Sequence, residues 1–76
     1  MLKIRDDVDL KELENFGFKT DYYIDDKVYV KEIKKGLYKE DIIIWFKDRE
    51  IQIRNNSQIL LETLYDLIKA NLVINK

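Results

Sequence analysis

Between Asp41 and Arg54 the chain reads DIIIWFKDREIQIR: five consecutive apolar residues, a polar turn, then a clean alternation. Successive side chains of a strand point to opposite faces. Ile42, Ile44, Phe46, Ile51 and Ile53 therefore make one apolar face, and Gln52 and Arg54 belong to the other. With 47–50 as a four-residue connection, an antiparallel hairpin is predicted with Phe46 opposite Ile51 and Ile44 opposite Ile53. Ile43 and Trp45 then fall on the side of Gln52 and Arg54, where a half-exposed sheet normally carries polar residues. Something apolar is expected to meet them.

Upstream, Val8 to Phe18 carries a complete set of helix boundary signals. Asp9 can cap the first turn, Glu12 follows three residues later, and Val8 can staple against Leu13. Gly17 suits the left-handed closing position that returns Phe18 to Leu13. A short helix is predicted over 10–16, with Leu10, Leu13 and Phe16 facing the core. Residues 20–24 and 28–34 are rich in strand formers and are joined through a turn at 25–27. In the second of these strands Val28 and Val30 share one face while Tyr29, Lys31 and Ile33 share the other, and a bulge can exchange the faces partway. Gly36 permits a turn before the apolar run.

Asn55, Asn56 and Ser57 mark a loop with three eligible helix caps. From Gln58 onward Leu60, Leu61, Leu64, Leu67 and Ile68 recur at three- and four-residue intervals, predicting an amphipathic helix that ends near Ala70 with Asn71 as a left-handed cap. Leu72 to Ile74 forms either the apolar closure of that cap or a short extra strand. The pattern therefore predicts one α+β domain over 1–76: a short N-terminal helix, a three- or four-stranded antiparallel meander, and a longer C-terminal helix. Both helices are expected on one face of the sheet.

The segments from Ile4 to Phe18 and from Leu64 to Val73 resemble the ends of small uncharacterised proteins from Gram-positive bacteria and their prophages. Those relatives tend to carry glycine where Asn71 stands. The resemblance implies a mobile-element setting, in which many small proteins bind a host or viral macromolecule; it supplies no catalytic or ligand residue.

Composition narrows the chemistry. The 76 residues include no cysteine, histidine or proline. Disulfides, thiolate nucleophiles, imidazole bases and thiol or imidazole metal sites are thereby excluded. Fourteen basic and fifteen acidic residues give a net charge of −1, so no global field draws in a polyanion. No apolar run approaches the ~20 residues of a membrane span. A cytoplasmic protein without a cofactor or membrane association is expected.

Two features compete as sites. Trp45 and Ile43, with Tyr29 or Ile33 beside them, are expected on the sheet face turned away from the helices, where aromatic anchors concentrate binding energy. The leading expectation is thus a non-catalytic protein-interaction module that binds a protein partner, or a second copy of itself, through Trp45, Ile43 and Tyr29. Two alternatives remove that surface: Met1, Leu2 and Ile4 folding across it, or the face closing as a small cluster of its own. Nucleic-acid binding is the second class, from Lys31, Lys34, Lys35 and Lys39 with Tyr22, Tyr23, Tyr29, Tyr38 and Trp45 as stacking platforms. The interspersed Glu32, Glu40 and Asp41 argue against it. The acids Asp6, Asp7, Asp9, Asp25 and Asp26 read as caps and exposed turns, without the spacing of a calcium loop or a pocket for catalysis.

Overall fold

A computed structural model describes residues 2–35, 38–54 and 58–75, with the side chains of 33–35, 38, 39 and 58–60 outside the description. The first strand, β1 (Leu2–Ile4), is followed by a 3₁₀ helix, Leu10–Phe16. Then come β2 (Lys19–Tyr23), β3 (Asp26–Lys35), β4 (Tyr38–Trp45), β5 (Ile51–Arg54), α1 (Gln58–Lys69) and β6 (Val73–Asn75). Strands β2-β3-β4-β5 form the expected antiparallel meander, while β1 and β6 pair separately.

The N-terminal helix is confirmed in position but corrected in type. Asp9 accepts a hydrogen bond from the Lys11 amide, and Glu12 N–H donates to Asp9 O at 3.0 Å, an i to i−3 bond. Leu10, Leu13 and Phe16 recur every three residues, which makes one ridge in a 3₁₀ helix but would fan out around an α-helix. In so short a piece most hydrogen bonds are terminal, where the tighter bond is common. Gly17 closes the helix at φ 89°, with Gly17 N–H donating to Glu14 O and Phe18 N–H to Leu13 O. Leu13 and Phe18 are both buried, as that closure requires.

The same motif ends α1. Asn71 stands at φ 64°, Asn71 N–H donates to Ile68 O, and Leu72 N–H donates to Leu67 O. Leu72 is buried against the core, and the next residue opens β6, so the apolar tail serves both as cap closure and as strand. β6 pairs antiparallel with β1, joining Leu2 to Asn75 and Ile4 to Val73. Lys3 also bridges to Glu50, Ile4 N–H donates to Arg49 O at 2.9 Å, and Arg49 Nη1 donates to Arg5 O and Val8 O.

Two turns differ from expectation. The β2–β3 turn is Ile24–Asp25, because Tyr23 already pairs with Asp26. In the β4–β5 hairpin Ile44 lies opposite Ile51 and Ile42 opposite Ile53, two residues from the predicted register. Trp45 N–H donates to Glu50 O, so the loop is 46–49, closed by Arg49 at φ 62° and by Asp48 Oδ1 accepting from Glu50 N–H. A shift of two preserves every side chain's face, so the apolar pattern could not detect it. The β3–β4 ladder is unbroken over its eight pairs, with no bulge. Gly36 and the caps expected among 55–57 lie outside the described residues.

Ile4, Leu10, Leu13, Phe18, Tyr29, Ile42, Ile44, Ile51, Leu67 and Leu72 form one core cluster on the helical side of the sheet. Leu10 and Leu13 of the 3₁₀ helix and Leu67 of α1 are its helical members. The phase of α1 is the further correction: Thr63 and Leu67 point inward, while Leu61 and Ile68 are half exposed. Thr63 is held there as Lys31 Nζ donates to its Oγ1 at 3.2 Å. No described helix is long and apolar enough to span a membrane.

Candidate functional site

The strand register fixes which side chains share the face opposite the core. Asp21 pairs with Val28 and Val28 with Trp45; Lys19 pairs with Val30 and Val30 with Ile43. Asp41 pairs with Arg54, and Tyr23 with Asp26. Val28 and Ile43 are buried, at 0% and 1% exposure, although they stand outside the main core cluster. They are the floor of a second, smaller cluster.

Its roof comes from the two edge strands. Arg54 Nη1 donates to Tyr23 Oη at 2.8 Å, and the guanidinium carbon lies 5.5 Å from the Tyr23 ring centroid. Since Tyr23 is on β2 and Arg54 on β5, this bridge crosses above β3 and β4. Arg54 is anchored by a two-point contact with Asp41: Nε donates to Oδ1 at 2.7 Å and Nη2 to Oδ2. Asp41 is buried, and its hydrogen bonds and charge raise the guanidinium's pKa, so Arg54 is permanently cationic. A buried carboxylate needs such a partner, because an unpaired charge out of water is strongly disfavoured.

Trp45 completes the roof at the other end. Its ring meets Tyr23 edge-on, with centroids 5.6 Å apart and planes at 65°, and Lys47 Nζ lies 5.4 Å from the indole centroid. This edge-to-face arrangement suits the aromatic quadrupoles. Trp45 is half-buried and Tyr23 is 39% exposed. The hairpin tip beside them carries Tyr22 at 67% and Ile24 at 89% exposure. Toward Asp41, Tyr23, Arg54, Val30 and Ile43 line a concavity of about 200 Å³.

Of the three predicted binding residues, Trp45 and Ile43 share this face, but Ile43 is buried under the bridge and offers no contact surface. Tyr29 is on the opposite side. It stacks on Phe46 at 5.1 Å in the core and donates to Glu14 Oε2 at 3.0 Å. Burial raises its phenol pKa above the ordinary value, and the Glu14 hydrogen bond and charge add to the rise. Of the three residues expected as an alternative cover for Trp45, Ile4 lies in the main core and Leu2 packs against it, while Met1 lies outside the described residues. Tyr23 was named only as a stacking platform for bases, and the Asp41–Arg54 pair was missed. The signal of that pair was hidden by the two-residue register shift, which sets Arg54 across from Ile43 and leaves Asp41 unpartnered. Among the described residues, no three acids converge as a metal site.

Comparison with protein families, with curated proteins and with solved structures found no match to this chain.

Proposed function

We propose that the protein is a non-catalytic interaction module that binds a protein partner through the Tyr23–Trp45 end of the sheet face away from the helices. The observation that carries this reading is a half-buried indole packed on a partly exposed tyrosine, which neither the helical layer nor the first strand overlies. Ile24, 89% exposed, adds an apolar side chain at the adjoining hairpin tip. Aromatic residues seated on a rigid floor lose little conformational freedom on binding and act as anchors once a partner excludes water. Charge favours a protein over a nucleic acid. By register, this face interleaves Asp21, Asp26, Glu32 and Asp41 with Lys19, Lys34, Lys39 and Arg54, so it presents no basic field that would draw in a polyanion. The resemblance of the two end segments extends the proposal to a mobile-element setting, with a host or viral protein as the partner.

Immobilised wild type, Trp45→Ala and Tyr23→Ala are to be compared for proteins retained from a bacterial extract, after far-UV circular dichroism shows equal folding. A protein held by the wild type and weakened about tenfold or more by both substitutions is expected. Equal retention by all three chains would remove this face from the interaction. Trp45 is the single tryptophan, so its emission is an independent report of partner contact.

A further inference from the structure

Helix α1 carries more apolar surface than the core accepts. Leu67 is fully buried and Leu64 partly so, but Leu61, Tyr65 and Ile68 are 50%, 62% and 47% exposed. The spacing i, i+4, i+7 aligns these three in one stripe beside the buried face. An isolated exposed leucine is ordinary, whereas a contiguous stripe of two aliphatic residues and an aromatic one marks an association surface. We propose that the stripe is the seam of a homodimer in which two copies of α1 pack antiparallel.

The charges beside the stripe identify the occupant and its direction. Glu62 and Lys69 are both exposed and lie seven residues apart, two helical turns, along the solvent side of the stripe. A second copy running antiparallel sets Glu62 against the partner's Lys69 and Lys69 against the partner's Glu62. Leu61 then meets the partner's Ile68, and Tyr65 meets its own counterpart near the twofold axis. In a parallel twofold pair the flank of Glu62 and Lys69 would meet the partner's opposite flank, that of Leu64, and neither charge would gain a partner, so these charges complement each other in the antiparallel direction only. The three apolar residues of each copy make a short seam compared with a standard interface, and association is therefore concentration-dependent. The seam is independent of the sheet-face reading, since α1 packs on the other side of the sheet.

Sedimentation equilibrium across micromolar to millimolar protein tests the seam. The mass of the wild type should rise from the 9.2 kDa of one chain toward twice that value. The double substitution Leu61→Ser with Ile68→Ser should hold it at one chain. Glu62→Lys or Lys69→Glu alone should weaken association by about tenfold, and an equimolar mixture of those two variants should restore it, because each then supplies the charge the other lacks. All four positions are exposed, so the folded monomer is retained, with far-UV circular dichroism as the check. Trp45→Ala should leave the mass unchanged. A wild type that remains one chain throughout overturns the proposal, and so does a dimer that the helix variants leave intact.

Discussion

Ile24 is a β-branched residue at φ 61°, where almost any residue but glycine crowds its own backbone. It is the first of two turn residues, and Asp25 after it has no positive φ, the pattern of a turn that usually starts with glycine. With the side chain 89% exposed, no packing repays the strain. Ile24→Gly should therefore raise stability by about 1 kcal/mol, read as a higher urea midpoint at unchanged slope; a lower midpoint would show that the tip is not strained. Tyr29 has the opposite character, a buried polar residue whose phenol is matched to Glu14. Its raised pKa means that the folded chain holds the phenolic proton more tightly than the unfolded chain does. That contribution is complete below the ordinary tyrosine value of about 10 and is lost as pH rises through and beyond it. Tyr29→Phe should cost about 1 kcal/mol at neutral pH and flatten the alkaline decline of stability above about pH 9. Urea midpoints measured against pH decide this, and an unchanged alkaline slope would rule out the assignment.

The two helices end in the same motif with different residues in the left-handed position, Gly17 and Asn71. A Cβ at Gly17 would come within 3.4 Å of Lys31 Cε, the movable end of a long side chain, so the cost of adding one is mainly conformational. Gly17→Ala should lower stability by about 1 kcal/mol, whereas Asn71→Gly should raise it by about 0.5 kcal/mol. Denaturant midpoints of opposite sign are the expected result. These caps, the meander and the two faces of β4 were legible because they depend on residues close in sequence and on a period of two. Three things were not. The β1–β6 pair joins two three-residue strands from opposite ends, too short to carry a pattern. The β4–β5 register differs from its alternative by two residues, which no alternation can register. The phase of α1 was ambiguous because leucine, isoleucine and tyrosine cover more than one face, and the inward side holds Leu67 together with Thr63, whose hydroxyl accepts from Lys31. The candidate site suffered most from the second of these, since the Asp41–Arg54 contact depends on register.

At the scale of the whole molecule, the terminal strands hold the core closed. A 76-residue chain buries a modest share of its surface, and its net stability is expected on the order of 5 kcal/mol. Chain ends are usually the most tolerant part of such a protein. Here Ile4 is fully buried in the main cluster, and the backbone on either side is tied to two distant segments, through Ile4 N–H to Arg49 O and through Arg5 N–H to Leu72 O at 2.8 Å. Removing its side chain would leave a cavity in the main cluster. Ile4→Ala should therefore cost about 3 kcal/mol, more than half of the total. Ile74→Ala, in the paired strand but 39% exposed, should cost less than about 1 kcal/mol. Thermal and urea unfolding of the two variants separate burial from strand pairing. Equal losses would mean that the β1–β6 ladder itself carries the stability; a large loss at Ile4 alone means that the fourth residue of the chain is as much a core position as Leu67.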